Sequence, residues 1–447
     1  MFLWLRYLRK RRIVLLSIAA VALSVSLLVV VTSLFTGFIE AYQRIAVEFL
    51  GDMVLEPPAR VSRYPVLIER LEKLGAVEAA TATLSAQGIL FLGKGNVRAV
   101  LAQGIEPAGN VKVTALKRSL IEQGHLPGPP SFAVEGKADS VGGFVGIAAI
   151  KEPDEETDEY DLVAAREMLG RQVVLTTGSV LESHESGGSG AGSRLKRQVV
   201  KFIVTDIVHT GFYDLDKRYV FLPIDCLQRA LYPGRAEPLA ELIQIKLARN
   251  VSIESAKAQI LGVWYGFVDD YLDGDPYMKN YADVQTAVEM QGRYMKEVRK
   301  QMGLLLVIFG VVSFSVVVLV FCIFYMIVTT RRRDIAIIKS CGTASRSVAC
   351  IFVGFGLCVG IIGSVLGALL GFLITKNVNV LEGWIRVIFG LKLWKSGVYM
   401  FSKIPEQVSW PWTVPIVVSA VVAAGVGALV PAIVAARTRP VDILRYE

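Results

Sequence analysis

The chain has 447 residues, 53% of them hydrophobic, a net charge of +8 and a mean hydropathy of +0.49, values that fit a protein part membrane-embedded and part globular. Residues 40–300 carry 30 Lys and Arg against 35 Asp and Glu, whereas the remainder carries 18 against 5. The basic excess therefore flanks the apolar segments, and nucleic acid is not an expected partner.

In chain order, the basic start Arg6, Arg9, Lys10, Arg11 and Arg12 is followed by an uncharged run over 13–39. A helix rises about 1.5 Å per residue, so roughly 20 apolar residues cross the ~30 Å hydrocarbon core. The run is about twice a signal-peptide h-region, and no A-x-A site follows it, so it reads as an uncleaved anchor. Residues 44–49 are expected to extend that helix outward.

The block 41–300 reads as a large α+β domain of one or two subdomains, inserted between the first and second spans. Strands are expected at 52–56, 77–84, 88–92, 97–103, 172–177, 199–209, 218–222 and 242–247. Helices are expected at 65–74, where Val66, Leu67, Leu71 and Leu74 share a side, and at 224–231 and 253–263. Two segments break the pattern and read as mobile loops: acidic 151–161 and Gly/Ser-rich 182–193. The acidic run lacks the glycine and ligand spacing of a calcium loop. His125, His184 and His209 show no metal spacing, and Cys226 has no disulfide partner in the domain.

Residues 281–302 carry Val284, Val288, Met295, Val298 and Met302 at mostly helical spacing. Continued into the second span, they would make a helix of about 50 residues and about 75 Å. Two readings are open: a rod that transmits motion, or a helix that docks the domain.

Three further uncharged runs follow at 303–330, 347–375 and 407–436, the last with its helix expected over 411–436. The loop 331–346 holds Arg331, Arg332, Arg333, Lys339 and Arg346, and the C-terminus holds Arg437, Arg439 and Arg445. Only Asp334, Asp442 and Glu447 oppose these and the N-terminal basic residues. Short cytoplasmic segments collect Lys and Arg, so both termini are read as cytoplasmic and the domain as extracytoplasmic. The loop 376–406, with five basic and two acidic residues, dilutes this asymmetry without reversing it.

Gly356, Gly360, Gly363, Gly367 and Gly371 fall on one narrow face of the third span and predict close helix packing. Small residues recur in the fourth span at Ala423, Ala424, Gly427 and Ala428, and Pro431 is expected to kink or end it. No Asp, Glu, Lys, Arg or His lies inside any run, which disfavours proton relays and ion pathways; an apolar, lipid-like cargo fits such walls. The phosphate-binding, HExxH and CxxC motifs are absent, so no catalytic, cofactor or metal site is expected in this chain.

The segment 331–352, RRRDIAIIKSCGTASRSVACIF, is similar to the cytoplasmic segment of FtsX-like, MacB/LolC/LolE-type ABC-transporter permeases. There a basic cluster precedes an acidic residue, alternating apolar residues, a glycine and a short helix. The ending PAIVAARTRPVDILRYE, with Pro440-Val441 and Leu444-Arg445, resembles the same family. FLWLRYLRKRR at 2–12, VLAQGIEP at 100–107 and VTDIVHTGFYDLDKRYVFLPI at 204–224 resemble its lipoprotein-releasing branch.

The resemblance implies a permease module over 301–447 following the anchor 1–40 and the domain 41–300. It implies two permeases, copies or paralogues, paired with a LolD-like cytoplasmic ABC ATPase that holds ATP and magnesium. Arg333, Asp334, Ile335, Ile338, Gly342 and Arg346 would couple to that ATPase. It implies a bacterial inner-membrane location, a periplasmic domain, and release of lipoprotein cargo to a periplasmic carrier. The hairpin region 177–197 departs from the LolC pattern, which has a Pro-rich apolar carrier-binding hairpin there. A MacB-like efflux permease for small molecules or peptides and an FtsX-like non-transport transmitter are the alternatives.

Overall fold

The computed structural model describes residues 12–437 except 94, 135, 137–139, 155–156, 182–193, 236, 331, 391, 393, 396, 398–399 and 402. Arg6, Arg9, Lys10, Arg11, the 182–193 loop with His184, Arg331, and C-terminal Arg439, Pro440, Val441, Asp442, Leu444, Arg445 and Glu447 lie outside them. The chain divides into two compact units: 1–41 with 294–391 and 404–447, and 42–293 with 392–403.

The elements are α1 (Arg12–Leu50), β1 (Met53–Glu56), β2 (Val61–Ser62), α2 (Tyr64–Glu72), β3 (Val77–Phe91), β4 (Val97–Ile105) and α3 (Pro107–Val113). Next come β5 (Gly142–Gly146), β6 (Gln172–Leu181), β7 (Arg194–Val208), α4 (Tyr213–Arg218), β8 (Tyr219–Pro223), α5 (Ile224–Leu231), β9 (Leu239–Ala240) and β10 (Leu242–Leu247). The remainder are α6 (Ile253–Tyr271), β11 (Asp283–Thr286), α7 (Gly292–Thr330), α8 (Arg332–Ser340), α9 (Ser345–Lys376), α10 (Val378–Phe389) and α11 (Trp410–Arg437), besides a few single turns.

The domain unit is an α+β fold organised by β3. Its first half pairs with β10, and the sheet continues through β1 to β11. Its second half pairs with β4, while residues 88–91 also pair with β6. The ladder then runs β4–β8–β5–β7–β6 and so returns to β3. Six strands thus close into a ring, which removes their free edges. Residues 77–84 are almost wholly buried, with α2, α3 and α5 packed on β3; residues 87–91 alternate outward and inward.

The two strands expected at 77–84 and 88–92 are one, although Ser85-Ala86-Gln87 interrupts the apolar run. The ladder continues through them, and Ser85 N donates to Glu241 Oε2 at 2.9 Å. Strand β5 is not among the expected strands, because its sequence GGFVG runs against strand propensity. A Cβ at Gly142 would lie 2.0 Å from Phe132 O, and one at Gly146 2.1 Å from Asp216 O. These glycines are there for close backbone approach. Helix α6, capped by Ser252, buries Ala256, Ile260, Trp264, Phe267 and Val268. Trp264 Nε1 donates to Met278 O at 3.0 Å, so the largest core side chain leaves no donor unpaired.

Asp216 is fully buried and accepts from Thr210 N (2.7 Å), Thr210 Oγ1 (2.8 Å) and Gly211 N (3.2 Å). Burial outweighs these bonds and raises its pKa from 3.8 to about 7. The folded chain then keeps a proton that the unfolded chain releases, so this group makes stability fall as pH rises from about 4 to about 7. Asp216→Asn removes the ionisation. The melting temperature of the variant relative to wild type should climb across that window and level off above it.

The acidic segment 151–161 is tied down at several points. Thr157 N donates to Asp154 Oδ1 at 2.8 Å, and Lys151 pairs with Asp161 at 2.9 Å. Asp158 lies 3.4 Å from Lys392, both nearly buried at 10% and 8% exposure. Lys392 belongs to residues 392–403, which the sequence reading assigns to the permease module but which pack with the domain. There Tyr213 N donates to Met400 O at 2.8 Å, and the Phe212 and Phe401 rings meet edge-on at 5.4 Å.

Among the described residues, four helices are long and apolar enough to cross a membrane: Val14–Leu50, Lys296–Thr330, Ser345–Lys376 and Trp410–Arg437. Pro431 lies inside α11, which continues to Arg437 rather than ending; neighbouring helices let spans carry proline. The expected 281–302 helix is shorter at its start. Asp283–Thr286 is strand β11, paired with β1, and Thr286 and Glu289 form a reciprocal cap on a separate turn. Helix α7 begins at Gly292, and its 39 residues reach about 58 Å.

Candidate functional site

Helix α8 carries most of the residues expected to couple to an ATPase. It closes at Gly342, whose φ of 91° lies in the left-handed region, with Gly342 N donating to Lys339 O at 3.0 Å. The short helix precedes this glycine, and the chain then enters α9 directly at Ser345.

A helical period sorts the side chains differently from the alternating pattern in the sequence. Ile335 and Ala336 are buried, and Ile335 packs with Val328, Val348 and Ala435. Lys339 Nζ donates to Ala436 O at 2.7 Å, placing a cation on the last carbonyls of α11. Arg333, Ile337, Ser340, Cys341 and Gly342 are exposed, as is Arg346 just beyond the turn. Asp334 is half-buried, and the side chain of Ile338 lies outside the described residues. Ile335 is therefore an internal packing residue. Among the described aliphatic side chains of α8, Ile337, which is 51% exposed, is the one available to a partner. Its four-residue spacing from Arg333 is the signal that could have found it.

The glycine face of α9 meets two different helices. A Cβ at Gly356 would lie 2.4 Å from Ala428 Cβ, and one at Gly360 2.8 Å from Ala424 Cβ, both on α11. On α1, a Cβ at Gly363 would lie 2.8 Å from Val21 Cβ, one at Gly367 2.5 Å from Ala22 O, and one at Gly371 2.9 Å from Val29 Cβ. The third span is the hub of the bundle, touching the fourth span with its first half and the first span with its second.

A cavity of about 240 Å³ opens among α1, α7 and α11, walled by side chains such as Val25, Phe314 and Ile416. Ser24, Ser313 and Ser419 line it, with Ser24 Oγ 3.2 Å from Ser313 Oγ. Such walls suit hydrocarbon, with hydroxyls as the polar contacts. Among the described residues, no group of three His, Cys, Asp or Glu could hold a metal ion.

Residues 306–441 match the FtsX-like permease C-terminal family. The chain is an FtsX-like permease. It is thus a non-catalytic, multi-pass membrane component of an ABC transporter, which implies a partner ATPase. The permease is similar to the lipoprotein-releasing system transmembrane protein LolC of Neisseria meningitidis, 26% identical over 99% of this chain and 98% of that one. It is 25% identical to LolC of Xylella fastidiosa (strain 9a5c), over 83% of this chain and 85% of that protein. LolE of Haemophilus influenzae is 23% identical, with 96% and 93% covered. Among solved structures, the periplasmic region of MacB from Actinobacillus actinomycetemcomitans matches with a TM-score of 0.35 and 12% identity, covering 56% of this chain and 95% of that one. The extracellular domain of the noncanonic ABC-type transporter YknZ gives 0.30 and 12%, covering 53% and 98%.

Proposed function

We propose that this permease releases lipoproteins from the outer leaflet of a bacterial inner membrane toward a periplasmic carrier. The observation that carries the reading is likeness to LolC over 99% of the chain, so the domain and the spans are matched together. In this reading both termini and α8 face the cytoplasm and the domain faces the periplasm, consistent with the basic residues around α8. A LolD-like ATPase, holding ATP and magnesium, meets the exposed face of α8 and the turn after it. A second copy or paralogue of the permease completes the transporter. The uncharged spans and the apolar cavity with its hydroxyls suit an acylated cargo.

The test is reconstitution of the permease and its ATPase in proteoliposomes bearing a triacylated lipoprotein, with a soluble acceptor outside. ATP-dependent transfer of the acylated protein, and stimulation of ATP hydrolysis by it, are expected. Stimulation by a soluble amphiphile or an unacylated peptide, with no transfer of the lipoprotein, would overturn the reading in favour of efflux.

A further inference from the structure

Helix α10 inverts the ordinary amphipathic arrangement. Val380, Leu381, Trp384, Val387 and Ile388 share one face and are exposed, Val387 to 81% and Trp384 to 65%. The opposite face holds Asn379, Glu382 and Arg386, all half-buried. A helix in water turns its apolar face to the protein and its charges outward. This one does the reverse, which calls for an apolar medium outside.

The surroundings locate that medium. Helix α9 ends at Lys376, two residues before α10 begins. The Lys376 ammonium lies 5.9 Å from the Phe372 ring centre, and the Phe372 ring lies 6.3 Å from that of Trp410. Trp410 and Trp412, at the start of α11, are exposed. Aromatic rings with a lysine at the ends of two spans mark the boundary between hydrocarbon and headgroups. Asn379 pins the first turn of α10 to that level: its Nδ2 donates to Ile404 O at 3.0 Å, and Ile404 N donates to its Oδ1 at 3.0 Å. At its far end, Ile388 and Phe389 are both 68% exposed. The helix must therefore keep apolar contact along its whole length and cannot project into water.

We propose that α10 is an interfacial helix whose 380/381/384/387/388 face is seated in the lipid of the leaflet opposite α8. The occupant is bilayer lipid, because the face continues the exposed apolar surface of α9 and α11 at the level of their aromatic ends. A helix in this plane would contact the headgroup–acyl boundary, beside lipids that also surround the cavity-forming spans.

The test uses the full chain with Cys226, Cys322, Cys341, Cys350 and Cys358 replaced by serine. Single substitutions Trp384→Cys, Val387→Cys, Ile388→Cys and Arg386→Cys receive an environment-sensitive fluorophore after reconstitution in phosphatidylcholine vesicles. Positions 384, 387 and 388 should lose most of their fluorescence to lipid with a doxyl quencher near the headgroup and little to aqueous iodide. Position 386 should be less sensitive to the lipid quencher. Iodide quenching at 384, 387 and 388 would overturn the proposal. Shielding from both quenchers, as under a second copy or another protein, would overturn it equally. Val380→Cys and Leu381→Cys, on the same face, replace any variant that fails to reconstitute.

Discussion

Gly367→Leu should stop the first and third spans from packing and leave a chain that does not hold its membrane bundle in detergent. The side chain has nowhere to go. A Cβ alone would lie 2.5 Å from Ala22 O, 2.8 Å from Val25 Cβ and 3.0 Å from Ala22 Cα. Two of these atoms are backbone, so no rotamer change relieves the contact; the helices must separate. Overpacking in a tight interior costs about 1–3 kcal/mol for modest insertions, and an isobutyl group between backbones exceeds that. Separation also forfeits the dispersion contacts that drive association in lipid, where no hydrophobic term compensates. Gly367→Ala should show the milder form, a loss of about 1–3 kcal/mol. Gly310→Ala is the control, because nothing lies within 4 Å of its Cβ position. Graded unfolding of the purified chain in mixed micelles measures all three, and equal stability for Gly310→Ala and Gly367→Ala would contradict the seam.

The seam is legible in the sequence because small residues at three- and four-residue spacing in an apolar helix serve close approach of a neighbouring helix. Its partners are not legible. Nothing in the sequence of α9 says that Gly356 and Gly360 meet α11 while Gly363, Gly367 and Gly371 meet α1. The spans are readable for a similar reason: bilayer thickness imposes a length and excludes charge. In the domain, the elements lost are those whose residues serve a distant contact. Strand β5 carries glycines for the approach of Phe132 and Asp216, and β11 hides inside a helical-looking pattern at Val284 and Val288. The ring of six strands depends on the β3–β6 pairing, joining residues about 90 positions apart, which no local pattern encodes. In α8, the family resemblance points to Ile335 and Ile338. A helical period instead sends Ile335 inward and leaves Ile337 outside.

That sorting makes two neighbouring isoleucines fail in different ways. Ile337→Asp should weaken association with the ATPase by about 30-fold or more while leaving the bundle intact. Ile335→Ala should weaken the bundle first. Ile337 is more than half exposed on a face shared with Arg333 and followed by the turn at Gly342. Truncating or charging an apolar anchor at the centre of an interface commonly costs about 2 kcal/mol or more, about 30-fold in affinity. On the free chain, the same change adds a charge at a solvated position and costs little. Ile335 is 5% exposed among Val328, Val348 and Ala435, which join three helices at one end of the bundle. Shortening it leaves a void there and costs about 2–5 kcal/mol of stability, with loss of ATPase binding only as a consequence. Co-purification with the ATPase, measured beside unfolding of the permease alone, separates the two effects. Retained ATPase binding by Ile337→Asp would remove the exposed face of α8 from the coupling surface. The basic turn would then remain as an anchor, with Lys339 on the carbonyl of Ala436 joining α8 to the end of the fourth span.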